Sequence, residues 1–315
     1  MFSRGRCALL LFACSAGALG QSTVPAKMIV TIGHFYGQEF PVLTASDFTV
    51  TQDYAPLKIT GLTPLRNDVS AVELFVLVDN CSNCEAGSQF EELTRFIATQ
   101  PPTTSVGVAY IQNGQLQVAV DPTVDRTRVI KALSPPGGST PSSPYYALAD
   151  LIRGWKEDSS RRAVLMISTG LDPASTDITS RSKSAETAIE AAQRAEVTVY
   201  AIYHPTAGYL TTDFSKILAG QDELAHVAAD SGGEAYFLNP GPMLSLAPFL
   251  ADINQHLANQ YLLEFIAQRG HSVNGLEEVQ VKSKVVPDSE LMVPSKAAVD
   301  ENSTGTPRKK RSPES

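Results

Sequence analysis

The run Val72-Glu73-Leu74-Phe75-Val76-Leu77-Val78, closed by Asp79, decides the fold of this 315-residue chain. It is almost continuously apolar, as expected of a strand covered on both faces. Downstream of Asp79 the alternation of strand and helix repeats. Phe90, Leu93, Phe96 and Ile97 recur at helical spacing. Ser88 with Glu91 three residues on forms a capping-box pattern at the start of that helix. Residues 105–111 and 115–120 read as strands joined at Asn113-Gly114, a strong hairpin signal. Residues 144–155 read as a helix with proline in its first turn, and 162–168 as another buried strand. An alanine-rich helix over 185–195, a strand over 197–203, a helix over 221–230, a short strand over 235–237 and a helix over 248–259 complete the series. The predicted class is therefore α/β, a doubly wound and mostly parallel sheet with helices on both faces.

Outward from this centre the pattern changes. Residues 28–32 and 48–51 are short extended runs separated by Gly37 and Pro41. Past the last helix, residues 261–265 and 279–285 are again strand-like, with turns at Asn274-Gly275 and Pro287-Asp288. The two terminal β segments are candidates to pair in a small subdomain. The expected boundaries are 1–20 for a leader, 21–70 for an amino-terminal β segment, 71–259 for the α/β domain, 260–299 for a carboxyl-terminal β segment and 300–315 for a disordered tail.

The leader assignment rests on Arg4 and Arg6 ahead of the uncharged run 7–18, with Ala18-Leu19-Gly20 offering small residues for cleavage before Gln21. The run is well short of the ~20 residues that cross a bilayer, and no later stretch is long and apolar enough. The expectation is a secreted or periplasmic protein with no membrane span; lipid attachment at Cys14 is the lesser alternative, because Phe12 is bulky for such a motif. Without the leader, 23 basic side chains face 33 acidic ones, a net charge of −10. Such a body is repelled by nucleic acid. The basic cluster at residues 308–311 lies in a Ser-, Pro- and Glu-rich tail and reads as solvated. Of four cysteines, Cys81 and Cys84 remain after the leader, and in an oxidising exterior two nearby thiols are read as a disulfide.

In an open parallel sheet, ligands sit beyond the carboxyl ends of the strands. Three loops there carry oxygen-bearing side chains: Asp79 with Ser82 and Asn83; Ser139, Thr140 and Ser143 after Gly137-Gly138; and Thr169 with Asp172 after Ser168. An apolar strand ending in Asp, then a Gly-Gly-Ser-Thr loop before a helix, then a strand ending in Thr-Gly-Leu-Asp: this order resembles the von Willebrand factor type A fold. More narrowly, the runs at 106–114, 193–200 and 232–236 resemble a secreted group of such proteins frequent in acidobacteria, over about residues 27–299.

That resemblance implies a metal-ion-dependent adhesion site of the form Asp-x-Ser-x-Ser, a Thr from a second loop and an Asp from a third, completed by a partner's carboxylate. By position Asp79 matches the first Asp, but Cys81 and Asn83 stand where the serines belong and Thr169 stands where the third-loop Asp belongs. Losing a carboxylate, and offering sulfur for oxygen, weighs against a hard dication. No cofactor is therefore expected; were Mg²⁺ or another divalent cation held, Asp79, Thr140, Ser143 and Asp172 would be its ligands. The rim expected to meet a protein partner is Asp79, Ser82, Asn83, Ser139, Thr140, Thr169 and Asp172. Tyr145 and Tyr146 adjoin the second loop, so one of them can reach a partner.

Two function classes are consistent with these features. The first is a secreted protein-interaction or adhesion module with a degenerate metal site. The second is an exported redox-active protein using Cys81 and Cys84, which precede a helix amino terminus as reactive thiols do. Asp79 and Glu85 would raise those thiol pKa values, favouring a structural loop staple. No Gly-x-Ser-x-Gly elbow or phosphate-cradling loop is present. None of the five histidines sits in a nucleophile or metal motif, and each reads as a surface or strand-end residue. The chain is accordingly read as a non-enzyme.

Overall fold

Strand β5, Val72–Asp79, sits at the middle of a six-stranded sheet whose neighbours on both sides run parallel to it. The computed structural model describes residues 22–33, 40–66, 71–79, 87–133, 143–156, 161–173, 181–205, 211–238, 245–270, 272 and 274–299. Chain order among them is β1 Thr23–Ile32, β2 Phe48–Gln52, β3 Ala55–Pro56, β4 Lys58–Leu65, β5, α1 Gly87–Ala98, β6 Thr104–Gln112, β7 Gln115–Thr123, α2 Arg126–Ala132 and α3 Pro144–Gly154. It continues with β8 Arg161–Ser168, α4 Lys183–Ala195, β9 Val197–Tyr203, α5 Phe214–Asp230, β10 Ala235–Phe237, α6 Ala247–Ala258 and β11 Gln260–Gln268. Four short strands close it: β12 Leu276–Glu278, β13 Gln280–Ser283, β14 Leu291–Met292 and β15 Lys296–Ala298.

The central sheet has the order β10-β9-β8-β5-β6-β7, parallel except for β7. β7 returns antiparallel because Asn113 and Gly114 both take positive φ (51° and 75°), the mirror-image turn that matches strand twist. Alternate residues of each strand serve opposite faces. Phe75 and Leu77 pack with Leu148, Ile152, Met166 and Ile189 under α3, α4 and α5. Leu74 and Val76 pack with Phe96, Ile97, Leu165, Ile253 and Leu257 under α1, α2 and α6. Both layers are apolar, which is why β5 and β8 carry no polar alternation. The expected doubly wound sheet is thus observed.

Two helices differ from expectation. α2 has no counterpart in the sequence pattern: it is seven residues long, with Val129 its one buried side chain, so its periodicity is thin; Asp125 caps it by accepting from the Arg128 amide. α5 begins at Phe214, not near 221, capped by Asp213 through the Ser215 amide. Gly220 lies within α5, where its bare Cα lets the backbone of Gly170 approach.

The two ends of the chain pair. β1 and β11 run antiparallel in unbroken register from Thr23 opposite Gln268 to Thr31 opposite Gln260. β4 flanks β11 and β14 flanks β1, while β2 pairs with β13 and β3 in a second layer. Met28, Val30, Ile32, Phe48, Val50, Leu263, Phe265 and Val281 form the shared core. Gln52 stitches the layers by donating to the Gln268 carbonyl (2.8 Å) and accepting from the Gln268 amide (2.9 Å). Pro64 falls in edge strand β4, where a missing N–H costs the least.

Candidate functional site

β5 leads on one side to β6 and on the other borders β8, so the order of the sheet reverses between β5 and β8. In open α/β sheets ligands bind beyond the strands' carboxyl ends at such a switch point. The expected residue Asp79 stands there, joined by Ser168, which is not among the expected ligands or rim residues. Asp79 ends β5, and Ser168 ends β8 and donates to Asp79 Oδ2 at 2.8 Å. The same Ser168 oxygen accepts from the Gly170 amide at 3.0 Å. Burial pushes the Asp79 carboxyl up to about 6, and the Ser168 hydrogen bond only partly opposes it.

A second knot lies alongside. Asp172 Oδ2 accepts from Ser143 at the mouth of α3 (3.0 Å) and from Ser184 in the first turn of α4. Below it, Tyr145 is fully buried and donates to the Gly170 carbonyl at 3.0 Å. Burial first, then the negative fields of Glu223, Asp172 and Asp79, hold its phenol well above the ordinary range. Glu223 from α5 accepts from the Ser182 amide at 2.9 Å, and burial raises its carboxyl too. Three carboxylates from β5, the loop after β8 and α5 therefore surround one buried phenol.

The expected rim is thus partly assembled. Asp79, Ser143 and Asp172 come to one end of the sheet and are half-buried. Thr169, expected to meet a partner, is instead buried, and its hydroxyl lies 3.4 Å from the Leu171 amide that donates to it. Of the tyrosines, Tyr145 belongs to the core and Tyr146 is exposed beside Ser143. Ser82, Asn83, Ser139, Thr140 and the pair Cys81 and Cys84 lie outside the described residues.

Of the four expected cation ligands, Asp79, Ser143 and Asp172 are among the described residues, and these three make no closed shell by themselves. Thr169 is buried and brings no charge where the third carboxylate belongs, and Asp172 already accepts from two serine hydroxyls. Ser168 likewise has its oxygen held between Asp79 and the Gly170 amide.

The sheet order, five parallel strands with one antiparallel edge strand, defines the scaffold. It is a von Willebrand type A/Rossmann-like α/β fold. Solved structures with this likeness include BatB from Bacteroides thetaiotaomicron, described as a conserved hypothetical protein (14% identity, 59% of this chain and 97% of that one, TM-score 0.41). The vWF domain of the type V pili tip protein Mfa5 from Porphyromonas gingivalis is similar over 59% of this chain and 94% of its own (10% identity, TM-score 0.43). The pilus adhesin SpaC from Lactobacillus rhamnosus GG, in its open conformation, matches 80% of this chain and 47% of its own (8% identity, TM-score 0.45). No family model and no curated protein matches the sequence.

On this type A-like scaffold two groups carry no motif of their own. Ser184 and Glu223 reach the rim from α4 and α5, and only tertiary packing brings them there. His256, expected at a surface or strand end, is buried under α6 with Asp252 and Glu234 near its ring. The i,i+4 spacing of Asp252 and His256 on one helix face was the available signal. His204 does end a strand: its amide donates to the Ser168 carbonyl (2.8 Å), its Nε2 lies 3.2 Å from Gln89 Oε1, and burial lowers its pKa. Among the described residues, no helix is long and apolar enough to cross a membrane.

Proposed function

We propose that this protein is an exported interaction module that holds a protein partner at the carboxyl-end rim of its central sheet, without a resident divalent cation. The Asp79–Ser168 hydrogen bond across the switch point carries the reading. It pins together the two strand ends from which the rim loops depart, and Ser143–Asp172 pins the next pair of elements. Strand and helix ends fixed in this way lower the ordering cost of contact at this end of the sheet. Exposed Tyr146 supplies the kind of rigid aromatic anchor that contributes strongly in interfaces. Export is inferred from the leader pattern at residues 1–20, and the acidic body disfavours nucleic acid.

The test immobilises the protein and measures retention of surface proteins from its source organism on three variants. Asp79→Ala and Tyr146→Ala are expected to lose the retained partner, while Tyr54→Ala, exposed on the β2–β3 turn, keeps it. Retention indifferent to the rim substitutions, or no retention at all, overturns the proposal. Calorimetric titration with Mg²⁺ and Mn²⁺ checks the metal-free part. Saturable heat that Asp79→Ala abolishes would restore a metal-assisted site.

A further inference from the structure

Under α6 a histidine sits between two carboxylates, one on the turn ahead of β10 and one on α6 itself. The His256 side chain is 1% exposed and Glu234, from the turn ahead of β10, is 47% exposed. His256 Nδ1 lies 3.8 Å from Glu234 Oε2, and Nε2 lies 3.7 Å from Asp252 Oδ1. One ligand atom from each of the three residues lies within 4.8 Å of the others. Tyr236 of β10 donates to Asp252 Oδ2 at 2.7 Å and stands 3.3 Å from His256 Nδ1. The Tyr200 ring stacks on the imidazole, centroids 6.0 Å apart and 24° between planes.

We propose that Glu234, Asp252 and His256 form a binding site for a divalent transition-metal ion of the zinc class. The site is independent of the rim. With metal–ligand bonds of about 2.0–2.2 Å, donors on a tetrahedron stand roughly 3.4 Å apart, so the set closes on one ion when His256 ligates through a single nitrogen and the exposed Glu234 swings inward. One imidazole and two carboxylates match borderline ions such as Zn²⁺, whereas Mg²⁺ and Ca²⁺ favour oxygen alone. Asp252 and His256 lie one turn apart on the same face of α6, so two ligands are fixed by one rigid element. The Tyr236 hydroxyl orients the Asp252 carboxylate, as an outer-shell partner does for a ligating group. Glu234 faces solvent, which supplies an entry path and a water as fourth ligand. A dication also offsets two carboxylates placed beside a buried ring. Its structural effect is to tie α6 to β10, an edge strand of three residues.

The experiment titrates Zn²⁺ into the full chain, stripped with chelator and with its cysteines oxidised, and records the visible spectrum with Co²⁺. Expected are one ion per chain, a Co²⁺ spectrum lacking thiolate charge transfer, and at least tenfold weaker binding in Glu234→Gln and in Asp252→Asn. Glu234 is exposed, so Glu234→Gln keeps the fold and isolates ligand loss, with its melting temperature in chelator as the check. Absence of binding, binding unchanged by Glu234→Gln, or a thiolate spectrum pointing to Cys81 and Cys84 overturns the proposal.

Discussion

Ser168 at the end of β8 donates its hydroxyl to Asp79 at the end of β5, 2.8 Å away. One side chain thereby joins the two strands at which the sheet reverses its order. The same oxygen accepts from the Gly170 amide and so also fixes the first bend of the loop beyond β8. The strand ends and the loop are parts of one hydrogen-bonded unit, and the unit contains an ionisable group.

That group makes stability depend on pH. Burial moves the Asp79 carboxyl from 3.8 to about 6. Between those values the folded chain holds a proton that the unfolded chain has released, so the stability this group contributes is fully present below about pH 4 and is lost as pH rises through 6. Asp79→Asn keeps an acceptor for Ser168 but removes the ionisation. It is expected to be the more stable protein at pH 8, by on the order of 1–2 kcal/mol after allowance for partial exposure, with the advantage gone at pH 4. Urea unfolding at both pH values decides it, and an unchanging difference between the two proteins counts against the assignment.

Gly170→Ala is expected to destabilise by roughly 2–4 kcal/mol, from the left-handed backbone and from overpacking. Gly170 has φ +69°, and a Cβ there would stand 2.2 Å from the Gly220 carbonyl oxygen of α5. Either α5 moves away or the loop does, and both shift Tyr145, which bonds the Gly170 carbonyl. The denaturation midpoint measures the cost; a midpoint within error of the parent would mean the contact is absent in solution.

How far the sequence carries depends on whether a feature is local. The run ending at Asp79 and the turn at Asn113-Gly114 announce their structures because burial on both faces and positive φ select residue types directly. The turn at Asp53-Tyr54, also with φ positive at both residues, gives no such signal because Tyr is uncommon there. Asp79 and Asp172 are readable as strand-end loop acids. Their partners Ser168 and Ser184 are not readable as partners, since the pairs are set by strand order and helix docking. The Glu234–His256 approach is further removed still, joining a turn and a helix across a core layer.

Tyr145→Phe removes the buried hydroxyl that donates to the Gly170 carbonyl and keeps the ring in its core site. The expected cost is about 1–2 kcal/mol, that of one buried hydrogen bond with its acceptor left behind. Unfolding of Tyr145→Phe in urea tests it. A neutral result would show that the Gly170 carbonyl finds another donor.

Arg161 joins the α/β layer to the terminal β sheet. It opens β8 and is 6% exposed; its Nη1 donates to the Leu257 carbonyl at 2.9 Å and to Gln260 Oε1 at 2.7 Å. Gln260 in turn donates to the Thr31 hydroxyl of β1 at 3.2 Å, so one polar chain runs from β8 through the end of α6 to β11 and β1. Burial lowers the guanidinium to about 10, which still leaves it charged at neutral pH. A buried cation holding two acceptors leaves both unsatisfied when it is removed. Arg161→Ala is therefore expected to cost roughly 3–5 kcal/mol and Gln260→Ala about 1–2 kcal/mol. Because the two share a hydrogen bond, the double variant should fall short of the sum by at least about 0.5 kcal/mol. A double-mutant cycle in urea reads that coupling directly. Strict additivity would mean that the two layers are held by apolar contact alone, with Arg161 contributing only to its own strand.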